Sequence, residues 1–329
     1  MKNRIYYFDF LRGIAILMVI GIHTFVYRQF DSLGHVFEIA LRESFNFAVP
    51  LFLTISGFFI GRKCYNKSED YLYLLKKQVI RVYLPAILWS IPMVIWKIIK
   101  GYDIGASLVK GVVLMSFDPY YFVILVMQFY VLTPILVRLS LSKWGGVIIV
   151  AINAAFVFIL NYFIESFGLT TMFLVGPFVY WIVFYYIGIK LSMSNRDYGI
   201  KIPLVLIIIG FVAQMIETYF LMSLGHFGIG IKVSAWIYAA GMVLFFFSNK
   251  VELAMSKVQG WAFRKVVTIG RFSFGIYLLH VYVLIVLSII NGRNIWLVNF
   301  CIVVAISLLF LYSLLLIIPD NYIKRIGLI

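Results

Sequence analysis

Charge is scarce in this 329-residue chain: 12% of the residues are Asp, Glu, Lys or Arg, while 64% are hydrophobic and 18% aromatic. Soluble domains carry about a quarter charged residues, so a soluble fold is excluded. Cysteine is nearly absent, with Cys64 in a charged stretch and Cys301 in an apolar run. Two such residues supply neither a disulfide framework nor a cysteine metal cluster. Acids are the rarer charge, 13 against 28 Lys and Arg, for a formal net charge of +15. In a soluble protein that imbalance would raise the question of nucleic acid. In a chain this apolar, the distribution of the cations between loops carries the information, and no nucleic-acid partner is expected. Also lacking is an internal repeat strong enough to suggest the inverted halves of many secondary transporters.

What the chain has in abundance is apolar sequence of spanning length. A helix needs about 20 mostly apolar residues to cross a bilayer. Runs of that kind fall near 8–28, 44–61, 79–99, 119–139, 145–163, 171–191, 202–223, 230–248, 268–290 and 294–318. The expectation is an all-α polytopic membrane bundle of about ten helices: one transmembrane domain over residues 1–329, with no separate soluble domain. The opening MKNRIYYFDFLRGIAILMVIGIHTF begins like a signal peptide, but Asp9 and Arg12 interrupt it and no small-x-small cleavage site follows. It therefore reads as a retained first helix.

An even number of spans places both termini on one side. Twenty of the Lys and Arg residues fall in loops on that side, and Arg12 lies inside the first span. Seven fall in the opposite loops: Arg28, Arg42, Lys97, Lys100, Lys110, Lys232 and Arg293. The positive-inside rule then puts both termini in the cytoplasm, which explains most of the +15 as orientation. A remainder is available to an anionic cytoplasmic substrate or to lipid headgroups. The YLYLLKK portion of the stretch 61–78 has the pattern of an interfacial amphipathic helix.

The informative residues are the few polar ones inside apolar runs. A charge near the bilayer centre costs at least ~2.5 kcal/mol, so such residues face the bundle interior and find partners. The first run holds Asp9, Arg12 and His23. On a helix, Arg12 and His23 lie roughly 20° apart on one face, with ~16 Å between them along the axis. Asp9 is one turn from Arg12, within pairing range. An interfacial ion pair with Arg12 snorkelling to the headgroups, and a satisfied core histidine, would account for these residues separately. A shared polar cavity accounts for their alignment.

Further along, Ser56 and Gly57 near the end of the second run permit close helix approach. Gln128, Tyr130 and Thr133 precede Pro134 in the fourth run, and the seventh holds Gln214 and Glu217. Glu217 is the only acid near the middle of any expected span, so it needs a partner or a proton. In the ninth run Ser273, Tyr277 and His280 follow i, i+4, i+7 spacing on one face, a pattern common to helix packing and to active sites.

Taken in order, the segments FDFLRGIAILMVIGIH, VPLFLTISGFFI, QVIRVYLPAILW, YFVILVMQFYVLTPIL and GRFSFGIYLLHVYV resemble the membrane-bound acyltransferase-3 family along nearly the whole chain. The resemblance implies a ten-helix enzyme of the inner, cytoplasmic membrane. It would take an acyl group, most often acetyl, from cytoplasmic acyl-CoA as co-substrate, with no permanently bound cofactor and no metal. The acceptor implied is a hydroxyl of a cell-surface polysaccharide, exopolysaccharide or lipid-linked glycan, with glycan-assembly machinery and membrane lipid as partners. The family's Arg-x10-His element falls on Arg12 and His23, its Ser-Gly-Phe element on Ser56, Gly57 and Phe58, and its basic element on Arg81 ahead of Pro85. One departure stands before the fourth span, where Asp118-Pro119-Tyr120-Tyr121-Phe122 replaces a His-Leu-Trp-Phe type of segment. That departure bears on the acceptor more than on the chemistry. The chain ends at Ile329, eleven residues beyond the last expected span, so the expectation is a standalone member without a fused domain.

Acyl transfer of this kind needs a base, oxyanion donors and a grip on the donor phosphates. His23 is the base candidate, because an imidazole accepts a proton near neutral pH. Arg12, oriented by Asp9, would hold the donor. Arg81 and Arg62 or Lys63 would help at the cytoplasmic mouth, beside Ser56 and Gly57. Ser273, Tyr277, His280 and Glu217 are acceptor or oxyanion candidates. An acyl-His23 intermediate is an alternative to general-base catalysis. The competing class is a transporter or glycan-export component that uses the same polar residues for substrate or protons.

Overall fold

Long apolar runs leave the backbone few ways to satisfy its own polar groups away from water, and the helix is the local one. The structure, a computed structural model, describes residues 2–26, 28–65, 71–115, 120–163, 176–193, 199–225, 229–230, 232–258, 260–290 and 295–317. Among these, every regular element is helical. The first part of the chain forms α1 (Lys2–Thr24), α2 (Leu33–Glu43), α3 (Ala48–Tyr65), α4 (Tyr71–Ile99) and α5 (Ile104–Leu108), which continues into a wider π turn at Val109–Val113. Next come α6 (Tyr121–Leu141), α7 (Gly145–Phe163), a single 3-10 turn at Phe178–Tyr180 and α8 (Ile182–Met193). The remainder is α9 (Lys201–Ser223), α10 (Val233–Phe246), α11 (Asn249–Lys257), α12 (Trp261–Arg271), α13 (Ser273–Ile290) and α14 (Trp296–Ile317).

Among the described residues, seven stretches are long and apolar enough to cross a membrane: Tyr6–Thr24, Leu33–Lys63, Tyr71–Ile99, Tyr121–Leu141, Lys201–Ser223, Ser273–Ile290 and Trp296–Ile317. An eighth is formed if α10 and α11, bent by 60° at their junction, make one span. The protein is therefore a multi-pass, all-helical membrane protein. The remaining two apolar runs coincide with α7 and α8, whose described apolar portions, Gly145–Ile159 and Ile182–Met193, are shorter. Residues 171–175 of the sixth run lie outside the described residues, as do Asp118 and Pro119 and part of the 61–78 stretch. The run at 268–290 is divided by a turn at Phe272, so its first residues belong to α12, an amphipathic helix that carries Arg264, Lys265 and Arg271.

The chain groups into two units, the first comprising Met1–Ser56, Ser194–Ser273 and Tyr282–Ile306, and the second Gly57–Met193, Phe274–Val281 and Ser307–Ile329. In the first unit, glycines set the helix spacing. A Cβ at Gly13 would stand 2.2 Å from the Val266 carbonyl oxygen, and one at Gly270 only 1.7 Å from that of Asp9. Helices α1 and α12 thus meet backbone to backbone, as small residues allow. Gly210 and Gly241 bring α9 and α10 together in the same way. Tyr7 donates from its hydroxyl to the Phe246 carbonyl at 2.5 Å, tying the start of α1 to the end of α10.

In the second unit, Gly57 and Gly61, one helical turn apart on α3, lie against Tyr185 and Ile189 of α8. Tyr185 stacks on Phe129 of α6 at 4.6 Å between ring centroids, and its hydroxyl lies 2.8 Å from Thr133 Oγ1. The Gln128 side chain donates to the Gly176 carbonyl at 3.1 Å and accepts from the Phe178 amide at 2.9 Å. The polar residues of α6 therefore hold the loop before α8 and the α6/α8 contact.

Candidate active site

Helix α1 contains no proline and runs without a break from Lys2 to Thr24. The alignment of Arg12 and His23 on one face therefore holds, with ~16 Å of axial separation at 1.5 Å per residue. The pairing read from spacing is present: Arg12 Nη1 donates to Asp9 Oδ1 at 3.0 Å. Asp9 also has a partner that spacing could not supply, because Arg271 at the end of α12 places its Nε 3.5 Å from Asp9 Oδ2. One carboxylate thus stands between two guanidiniums, and the Arg271 guanidinium lies over the Tyr6 ring at 5.0 Å.

His23 sits in the last turn of α1 and is half-buried. The turn is held from outside: the Trp296 indole N–H donates to the Gly21 carbonyl at 2.9 Å, satisfying one of the carbonyls orphaned at a helix end. Phe25 meets Trp296 edge-on at 5.2 Å, and the Phe45 ring covers Gly21 closely enough to exclude a Cβ there. Just beyond, in the loop outside the spanning segments, the hydrogen bond with His35, aided by the charges of His35 and Arg28, holds the Asp31 carboxyl below its ordinary range.

The α13 stripe is buried along its length, with Ser273 in the first unit and Tyr277 and His280 in the second. The Tyr277 ring packs among Tyr120, Phe122, Phe274 and His280, with centroid distances of 6.0, 5.9, 6.2 and 5.9 Å. His280 turns Nδ1 toward the Tyr277 carbonyl at 2.6 Å and the Ile276 carbonyl at 3.3 Å. A neutral ring in that pose carries its proton on Nδ1, which leaves Nε2 as the basic nitrogen. Tyr120, within the departing segment, donates to the Leu278 carbonyl at 2.6 Å. Gly57 has its Cα face closed against Tyr185, while Ser56 is half-buried. In the second unit Arg62 and Arg81 are exposed and Lys63 is half-buried. Among the described residues no three His, Cys, Asp or Glu side chains come together as metal ligands.

The sequence matches the model of a family described as an acyltransferase domain over residues 5–316. The chain belongs to the acyltransferase-3 family. That membership accords with the multi-pass helical membrane architecture described above. The chain is also similar to the serine/alanine racemase of Enterococcus gallinarum, 24% identical over 300 residues that make up 86% of this chain and 41% of the racemase. It thus spans less than half the length of that curated relative. No solved structure matches it.

The first unit also contains a buried polar network that sequence reasoning missed. Glu43, at the end of α2, is fully buried and pairs with the equally buried Lys232. Its Oε1 accepts from the Gly230 amide at 2.9 Å, and its Oε2 accepts from Asn46 Nδ2 at 3.1 Å and Thr218 Oγ1 at 3.3 Å. Arg42 is buried beside it, with Nη1 3.7 Å from Glu43 Oε1 and 2.6 Å from Asn46 Oδ1. Gln214 completes the network through Asn46 and the Glu43 carbonyl. Arg42 and Lys232, counted above among loop cations, are thus members of an ion-pair cluster in which burial demands a counter-charge. The available signal was the Arg42-Glu43 pair directly ahead of an apolar run. Glu217, the acid singled out from the sequence, has the partner expected of it: its Oε2 accepts from the Ser234 amide at 3.0 Å and from the Ser234 hydroxyl in the first turn of α10.

Proposed function

We propose that this protein is an O-acyltransferase of the inner, cytoplasmic membrane. It moves an acyl group, acetyl in the first instance, from cytoplasmic acyl-CoA to a hydroxyl of a cell-surface or lipid-linked glycan. Both termini are cytoplasmic, and ten spans carry the chain across. The observation that carries the reading is the unbroken α1, which presents Arg12, held by Asp9, and His23 on one face.

His23 takes the proton from the acceptor hydroxyl as the oxygen attacks the thioester carbonyl. The tetrahedral intermediate collapses with loss of CoA thiolate, and the imidazolium returns its proton to that thiolate. Arg12 holds the donor through charge-assisted hydrogen bonds to its phosphates, in the manner suited to a planar guanidinium. An axial reach of ~16 Å suits a donor whose anionic end and thioester are far apart. CoA then never has to cross the membrane.

The test is purified protein in lipid nanodiscs with labelled acetyl-CoA and a glycan acceptor. Labelled glycan together with free CoA thiol supports the reading. Proton-coupled glycan uptake into proteoliposomes without thioester consumption would replace it with a transporter. Reporter fusions at each terminus give the sidedness independently.

A further inference from the structure

Asp9 is the one acid near the start of α1, and the structure gives it two arginines from different helices. Arg12 engages Oδ1 at 3.0 Å and Arg271 approaches Oδ2 at 3.5 Å. One carboxylate thus gathers guanidiniums from two helices at one place. The Asp9 side chain is 11% exposed, whereas Arg12 and Arg271 are 33% and 49% exposed. Asp9 is thus withdrawn and the two guanidiniums are the more accessible groups.

The arrangement is built into the helix contact. Gly270, next to Arg271, lies directly on the Asp9 carbonyl, and Gly13 lies on the Val266 carbonyl. The register of α12 against α1 therefore fixes where Arg271 meets Asp9. The Tyr6 ring under the Arg271 guanidinium adds a cation–π contact that holds its plane. Arg271 turns its Nε toward Asp9 and its side chain is 49% exposed, so N–H donors of the guanidinium are accessible to a second, anionic oxygen cluster. Seven residues earlier, exposed Arg264 falls on the same face of α12, roughly 10 Å away along the axis.

We propose that Arg271 is a second donor-binding arginine, held with Arg12 by Asp9 as a two-guanidinium clamp for a phosphate group of the acyl donor. Arg264 extends the same basic stripe toward a further phosphate, which suits a donor bearing phosphates at two places, as acyl-CoA does. A planar fork that meets two oxygens of one phosphate is worth more than a point charge, so lysine is an incomplete substitute at 271. The inference rests on the acyl-CoA reading above.

The test compares wild type, Arg271→Ala and Arg271→Lys in nanodiscs of phosphatidylcholine alone and of phosphatidylcholine with phosphatidylglycerol. Donor KM, kcat and competition by adenosine 3′,5′-bisphosphate are measured, and protein that is monodisperse on gel filtration is used throughout. Arg271→Ala should raise donor KM about tenfold to a hundredfold with kcat changed by less than about threefold, the mark of lost uniform binding, in both lipid compositions. Arg271→Lys should fall between, and adenosine 3′,5′-bisphosphate should weaken as a competitor in the same order. An unchanged donor KM overturns the clamp. So does an effect seen only in the anionic lipid, which assigns Arg271 to a lipid headgroup. If wild type consumes no acyl-CoA and binds no adenosine 3′,5′-bisphosphate, the donor reading itself fails; if it does both and Arg271→Ala matches it, only the clamp fails.

Discussion

Removing the Glu43 carboxylate should be among the most damaging single changes in the molecule. Glu43 has no exposed side-chain surface and Lys232 has 2%, so Glu43→Ala strips a buried ammonium of its carboxylate partner. It also orphans the Gly230 amide and the Thr218 hydroxyl's contact to Oε2. Deleting one member of a buried ion pair costs roughly 3–5 kcal/mol, because the other charge loses its nearest counter-charge. At the lower figure the folded-to-unfolded ratio falls by about two orders of magnitude. Lys232→Met should cost less, since Glu43 retains Gly230, Asn46, Thr218 and the nearby Arg42. The double variant Glu43→Ala/Lys232→Met should cost less than the two single changes added together, by about 1–3 kcal/mol, because the second change removes the charge that the first exposed. Reversible unfolding by SDS titration in mixed micelles measures all three. Strict additivity, or a Glu43→Ala protein within ~1 kcal/mol of wild type, would refute the idea that this cluster is a charge-compensated core.

Three further outcomes are expected. His23→Ala should insert and fold normally, by expression and gel filtration, yet lose about 10²- to 10⁴-fold in acyl transfer, the usual worth of a positioned base; full activity would remove His23 from catalysis. Gly270→Ala should force α12 off α1, since its Cβ would lie 1.7 Å from the Asp9 carbonyl oxygen, and should cost about 1–3 kcal/mol of stability in the same SDS titration. Tyr120→Phe removes one hydrogen bond to the Leu278 carbonyl; it should cost roughly 0.5–1.5 kcal/mol and leave donor KM unchanged, which kinetics with acetyl-CoA would check.

Much of the architecture was legible in the chain because hydrocarbon leaves so few alternatives. Apolar runs of spanning length must become helices, and each of the ten runs contains helix among the described residues, seven or eight of them long enough to cross. Local geometry was equally readable. Asp9 and Arg12 are three residues apart, so their ion pair follows from the helical repeat, and an unbroken α1 keeps Arg12 and His23 on one face. The i, i+4, i+7 stripe of Ser273, Tyr277 and His280 was read as common to packing and to catalysis. In the structure the stripe is buried, and the Tyr277 ring sits among aromatic neighbours.

Long-range partners were not legible. The Arg271 contact joins residues 262 positions apart in the chain, and the Glu43–Lys232 pair joins residues 189 apart. Nothing in the spacing of either pair marks it, because a helix repeat reports only neighbours within a turn or two. The cations were counted as loop charges for the same reason: sidedness is additive along the chain, whereas burial depends on what packs against a residue. The sequence by itself determined that the chain is a helical membrane protein, that Arg12 and His23 share a face, and, by its ordered motifs, its family. Only the tertiary structure decided which acids answer which bases, because a buried charge takes its partner from whichever helix lies against it.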